Sequence, residues 1–186
     1  MTLITSKKTL TLEQFLQLPE IEESPAWEFI NGEKHQKPIP GAKHSRLQFR
    51  ICEAINRLEG NYEALPELRC TFGGCSLIPD ITVIAKDSIP VDELGEIVAT
   101  GISFAPPWAI EILSPNQGEM RVTRNLLHGL RNGGQLGWLV DPTDKVVLIF
   151  KPGQLPDELM GDDLLTVLSG IDLKLTANDL FSWLRR

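Results

Sequence analysis

Apolar residues fall at two periods along this chain, and each change of period marks a new element. In residues 44–58, Leu47, Ile51, Ile55 and Leu58 recur at helical spacing while Arg46, Arg50, Glu53 and Arg57 fall elsewhere. That pattern predicts an amphipathic helix, ended by Gly60-Asn61. A shorter helix opens at Thr11, where a Thr cap with Gln14 three residues on resembles a capping box. Leu12, Phe15, Leu16 and Leu18 give it an apolar side before Pro19. A segment starting at Ser114-Pro115-Asn116 turns helical over 121–131 and stops at Gly133-Gly134. Residues 176–184 form a terminal amphipathic helix.

Between these lie strand-like runs. Residues 27–34 read as a β-hairpin, because Asn31-Gly32 supplies the positive φ angles of a type I′ turn. A linker with Pro38, Pro40 and Gly41 follows it. Residues 62–72 predict a strand interrupted by Pro66, and Gly73-Gly74 a turn. Residues 77–85 and 108–114 are β-branched apolar runs separated by a loop with Pro90 and Gly95 and a turn of helix near 92–98. Residues 136–142 and 146–150 form a second hairpin across Asp144-Lys145, and 164–168 a short strand. Hairpins outnumber βαβ units, so the expected class is α+β, with a single domain over 1–186 and a flexible segment at 1–10.

Composition changes this picture little. With 186 residues, 42% hydrophobic and 23% charged, the chain fits one globular domain with a sizeable core. No apolar run approaches a membrane span, and the N-terminus lacks the order of a signal peptide. Cys52, Cys70 and Cys75 are an odd number without C-x-x-C spacing, which favours a reducing cytoplasm over disulfides or a zinc site.

Charge adds more. The net charge of −7 speaks against nonspecific nucleic-acid binding. Yet 34–52 holds no acid and carries Lys34, Lys37, Lys43, Arg46 and Arg50 with His35 and His44, and 120–140 holds Arg121, Arg124 and Arg131. Such segregation leaves either one basic face or ordinary surface variation. Next to Lys43 at a helix start, His44 reads as a solvated residue.

Phosphate-binding glycine loops and a G-x-S-x-G elbow are absent. What remains is a single carboxylate set into each β-branched run, Asp80 in the first and Glu111 in the second. Alternation puts Asp80 on the face of Thr82 and Ile84, and Glu111 on the face of Ala109 and Leu113. A buried carboxylate is costly unless a cation meets it. Two on neighbouring strands suit Mg²⁺, which takes one or two carboxylates and keeps several waters; the alternative is that each acid sits at a strand end in water.

Taken in order, Trp27-Glu28-Phe29-Ile30-Asn31-Gly32-Glu33, the His44 helix, Ile78-Pro79-Asp80-Ile81, Glu111-Ile112-Leu113-Ser114-Pro115 and Gly137-Trp138-Leu139-Val140-Asp141-Pro142 resemble the bacterial restriction endonuclease family of PD-(D/E)XK type. The resemblance runs from about Leu12 to Phe150. It implies a restriction-endonuclease-like core, a central mixed sheet flanked by helices, and hydrolysis of DNA phosphodiester bonds with Mg²⁺ or Mn²⁺. Asp80 and Glu111 match the metal-binding acids, Ile112 the position whose backbone carbonyl completes the site, and Glu28 an acidic position near it. The family's lysine position falls on Asn125, or by the general motif on Leu113, and a usual Tyr on Gly129. Arg121, one turn before Asn125, is the charged group on that helical face.

Two functions follow. The first is an endonuclease with Asp80, Glu111, Glu28, Asn125 and Arg121 as catalytic candidates and Lys43, His44, Arg46, Arg50 and Arg121 contacting DNA. A homodimer is expected, because two sites can then cut two strands; no membrane and no organic cofactor are expected. The second is a nuclease-fold protein that binds nucleic acid or a protein partner without cleavage, for which Asn125 is the motive.

Overall fold

The structure, a computed structural model, describes residues 10–114 and 118–185. The flexible segment expected at 1–10 therefore lies outside the described residues save for Leu10, as does Pro115-Asn116 of the expected loop.

Helix α1 (Leu12–Leu16) carries the capping box at Thr11 and buries Phe15. Strands β1 (Trp27–Ile30) and β2 (Glu33–Gln36) form the expected hairpin, with Asn31 at φ 52° and Gly32 at φ 81°. Helix α2 (Ala42–Asn56) buries Leu47, Ile51 and Ile55 on one stripe, and His44 with them. The strand expected over 62–72 divides into β3 (Tyr62–Pro66) and β4 (Cys70–Phe72), because Pro66 cannot donate and Glu67 takes a positive φ of 51°.

The run at 77–85 divides as well, and the break positions the site. Strand β5 (Cys75–Leu77) joins β1, β2 and β4 in a four-stranded sheet of order β2-β1-β5-β4. Strand β6 (Ile81–Ala85) belongs to a six-stranded sheet. Pro79, without an N–H, cannot hold a ladder, so Ile78-Pro79-Asp80 passes from one sheet to the other. Strand β7 (Trp108–Ile112) runs antiparallel to β6 and parallel to β8 (Leu136–Asp141), with α3 (Glu119–Arg131) between them in sequence. Strand β9 (Val146–Phe150) and the acidic edge strand β10 (Asp157–Met160) complete the order β10-β9-β8-β7-β6-β3.

Alternation along β7 and β8 separates two layers. Trp108, Ile110, Ile112, Trp138 and Val140 pack with Leu47, Ile51 and Ile55 of α2, while Ala109, Leu113 and Leu139 pack with Val122 and Leu126 of α3. The mixed sheet thus carries a helix on each face. Helix α4 (Ala177–Ser182) adds Leu180 and Phe181 to the α2 layer.

Two expected elements are absent. Residues 164–168 make one bridge, Leu164 to Thr176, rather than a strand. Leu165 and Leu168 are buried while Leu164 is exposed, a spacing of three that an alternating strand cannot match. Near 92–98 the Asp92 carboxylate accepts from the N–H groups of Leu94 and Glu96, and this side-chain turn replaces a turn of helix.

Asn56 shows how the edge is closed: its Nδ2 donates to the Ala64 carbonyl (2.9 Å) and its Oδ1 accepts the Ala64 N–H (2.7 Å). Asn56→Ala leaves both groups of the buried edge strand unmet, so urea unfolding should show a loss of about 2 kcal/mol.

Candidate active site

The register of β6 and β7 brings the two acids together. Ile81 pairs Ile110 and Thr82 pairs Ala109; one further step sets Asp80 across from Glu111, on the face of Thr82 and Ala109. The Ile112 N–H donates to Asp80 Oδ2 at 2.8 Å, which ties the two segments at this point. Asp80 is 2% and Glu111 4% exposed. Neither stands in water at a strand end.

A second pair of elements closes on them. Asn31-Gly32 sets the hairpin register so that Glu28 lies opposite His35, and the Lys37 N–H continues the ladder to the Ala26 carbonyl (2.9 Å). Positions 26 and 28 share a face, so Lys37 and Glu28 emerge on the same side. Glu28 Oε1 accepts the Ile78 N–H at 2.9 Å. Lys37 Nζ donates to the Ile78 carbonyl at 2.6 Å and to Asp80 Oδ1 at 2.7 Å. From α2, His44 Nε2 donates to Asp80 Oδ2 (2.9 Å) and Gln48 Nε2 to the Asp80 carbonyl (2.7 Å).

The electrostatics follow from three buried carboxyls around one buried ammonium. Burial pushes Asp80 upward, but the Lys37 charge and the His44 hydrogen bond outweigh it and hold the carboxyl well below its ordinary range. Glu111 goes the other way: burial first, then the Asp80 charge, raise it well above its ordinary value, with Lys37 opposing. Two adjacent acids cannot both ionise cheaply, so one holds the charge and the other the proton. Burial also raises Glu28, against the pull of Lys37, the Ile78 N–H and Arg121. Lys37 is lowered by burial but raised further by Asp80, Glu111 and Glu28, and stays charged.

The candidate residues are distributed unevenly. Asp80, Glu111 and Glu28 converge, and Arg121 reaches Glu28 electrostatically. Ile112 meets Asp80 through its N–H. Asn125 instead lines a cavity of about 220 Å³ with Ile30, Asn31, Cys75, Leu77 and His128, and hydrogen bonds neither acid. On α2, Lys43 and Arg46 are exposed, and Arg50 is paired with Glu53 at 2.7 Å. His44 departs from the solvated helix start expected of it: it lies on the Leu47–Ile51 stripe, 6% exposed, with its Nδ1 buried and unpartnered.

Lys37 and Gln48 are site residues that the sequence pattern did not single out; Lys37 is the charged one. It stood in the sequence only as one of several basic residues, although the hairpin register already placed it beside Glu28.

The donor chemistry fits a hard divalent cation. All the acids present oxygen, and burial together with the Asp80 charge raises Glu111 well above its ordinary value, a setting in which an added cation would favour the ionised form. Among the described residues no group of three or more His, Cys, Asp or Glu side chains forms a coordinating cage. An ion at this place would be held by the two carboxylates Asp80 and Glu111.

A mixed sheet with a helix on each face, and a buried acid pair brought together across two neighbouring segments of it, fits a restriction-endonuclease-like fold. The comparison with known proteins agrees. The chain belongs to the family described as "Putative restriction endonuclease" (Uma2), whose family model matches residues 12–178. It is 44% identical to the protein in the crystal structure of a "putative nuclease belonging to DUF820" from Anabaena variabilis ATCC 29413. That similarity has a TM-score of 0.89 and covers 95% of this chain and 99% of that chain. No curated protein matches the chain. Among the described residues, no helix is long and apolar enough to cross a membrane.

Proposed function

We propose that the chain is a divalent-metal-dependent DNA endonuclease, with Asp80 and Glu111 holding Mg²⁺ or Mn²⁺. The observation that carries this reading is the cross-strand pair of buried acids, Asp80 and Glu111, in a chain of this family. The ion, when bound, supplies Lewis-acid polarisation of a phosphoryl oxygen and of water. The protein's own part is orientation. His44 and the Ile112 N–H fix Asp80 Oδ2, and Gln48 fixes the Asp80 backbone, so the carboxylate cannot rotate to follow solvent. Lys43 and Arg46, exposed on the helix that carries His44, would meet backbone phosphates, Arg46 giving up its bond to the Arg185 carbonyl (3.4 Å) to do so. A homodimer would offer two sites to two strands.

The test is plasmid nicking in Mg²⁺ by wild type, Asp80→Ala and Glu111→Gln. Both variants should cut about 100-fold slower or less, by loss of the electrostatic stabilisation that the acids organise. Equal rates at matched purity would remove the assignment.

A second reading has one observation in its favour. Leu113 and Asn125 place no charge at the acids, and Asn125 turns toward a separate cavity. A non-cleaving nuclease-fold protein would retain DNA in a salt-sensitive way and leave plasmid intact with every metal.

A further inference from the structure

Lys37 is a charged side chain only 11% exposed, brought to Asp80 from the far end of a hairpin. Burying an ammonium is costly, and an ion pair of this kind is weak evidence of a stability role, since apolar residues of similar volume often serve as well or better. Its placement is specific in three respects. The backbone is fixed by the ladder bond to Ala26. Two of its three N–H donors are held, by Ile78 O and Asp80 Oδ1, which fixes the head group at the Asp80 carboxylate rather than in solvent. The third finds no acceptor among the described residues, and the side chain keeps a narrow exposed edge. Of the other basic residues near the acids, Arg121 acts on Glu28 only through its charge, and His44 is committed to Asp80 Oδ2.

We propose that Lys37 is the catalytic lysine of this site, directing its ammonium at the phosphodiester held beside Asp80 and Glu111. This assignment rests on the endonuclease reading. In the reaction a water oxygen bonds to phosphorus while the phosphorus–ester oxygen bond breaks. The bonding pair leaves with that oxygen, which takes up a proton and becomes a hydroxyl, and the water's proton passes to solvent. Lys37 keeps its protons throughout. Its remaining N–H and its fixed charge meet the negative charge that grows on the equatorial phosphoryl oxygens, a task for a fixed donor in a dry site. The position lies outside the two from which a lysine was expected, 113 and 125. The hairpin thus delivers to the acids what strand β7 and helix α3 do not.

The experiment uses Lys37→Met and Lys37→Arg beside wild type, on three readouts. These are single-turnover cleavage of a DNA duplex in Mg²⁺, calorimetric titration with Mn²⁺, and urea unfolding. Lys37→Met should cut about 100-fold slower while still binding Mn²⁺ at least as tightly as wild type, because a competing cation has left the acids. Lys37→Arg, which keeps the charge on a different fork, should recover part of the rate and serves as the readable variant if the methionine form does not fold. Wild-type rates in both folded variants would overturn the assignment. So would loss of Mn²⁺ binding in parallel with loss of cleavage, which would make Lys37 a support for the acids only. A wild type that neither binds Mn²⁺ nor cuts removes the endonuclease reading and Lys37 with it. A wild type that cuts, alongside an equally fast Lys37→Met, removes Lys37 alone.

Discussion

Asp80→Ala should lower the unfolding free energy by about 3 kcal/mol near neutral pH, the largest stability loss expected of any single change at the site. The carboxylate is the shared acceptor of Lys37 Nζ, His44 Nε2 and the Ile112 N–H, and all three donors are buried or nearly so. Removing it strands an ammonium as well as two further donors. The cost stays at the low end of what breaking a buried pair brings, because Glu111 lies beside the vacancy. Once Asp80 no longer carries the charge, Glu111 can ionise and take over part of the Lys37 pairing.

The pH dependence has a definite sign. Asp80 is held below its ordinary value of 3.8, so its stabilisation is present above about pH 4 and is lost as pH falls through the folded value. Lys37 is held above 10.5, so its contribution is complete below that value and is lost only in strong base. The gap between wild type and Asp80→Ala should therefore close in acid, and it should also narrow as pH rises above 4.5, because the Asp80 charge that raises Glu111 is present only in wild type. Urea unfolding from acid to weakly basic pH checks it. A variant as stable as wild type at neutral pH would mean that the three donors have water to turn to.

How much of this was legible in the sequence depends on what sets each contact. The acid pair was legible because a lone carboxylate inside a β-branched run is costly in any sheet, and two such runs invite a common cause. Their register was not, since the long loop between β6 and β7 imposes no turn geometry on the pairing. Lys37 was legible in principle. An Asn31-Gly32 type I′ turn fixes its own register, and counting outward puts residue 37 opposite 26, on the face of Glu28. His44 was likewise readable as buried, because it continues the stripe of Leu47, Ile51 and Ile55 by one turn; its charged neighbours drew attention to the wrong face. Asn125 matched the family's lysine by sequence position alone, which does not give the rotation of that helix against the sheet. The edge strand β10 escaped notice for a different reason. Asp157 and Glu158 are exposed and Leu159 only half-buried, so there was no alternation to read, although charge on an edge strand is what deters pairing with another chain.

Glu111→Gln should act in the opposite direction to Asp80→Ala, making the metal-free protein more stable. Burial and the neighbouring Asp80 charge raise the Glu111 carboxyl well above 4.5, with Lys37 opposing. An acid with a raised folded pKa keeps its proton in the folded state while the unfolded chain gives it up. Stability therefore falls as pH rises from 4.5 toward the folded value. A glutamine imitates the protonated form and has no proton to lose. The variant should match wild type in acid and pull ahead as pH rises, by about 1–2 kcal/mol at mildly basic pH, or about 2–4 °C in Tm for each kcal/mol. Thermal unfolding in the presence of a chelator, at a series of pH values, measures this directly. Adding Mn²⁺ should then reverse the order. An ion that binds only the folded acid pair stabilises wild type by about 2.7 kcal/mol at a concentration 100 times its Kd, and the variant, lacking one carboxylate, gains far less. The same residue would thus weaken the empty fold and strengthen the loaded one, as expected of a group kept for binding rather than for packing. A variant no more stable than wild type at any pH would show that the proton on Glu111 is not held by burial. An equal response of both proteins to Mn²⁺ would place the ion elsewhere.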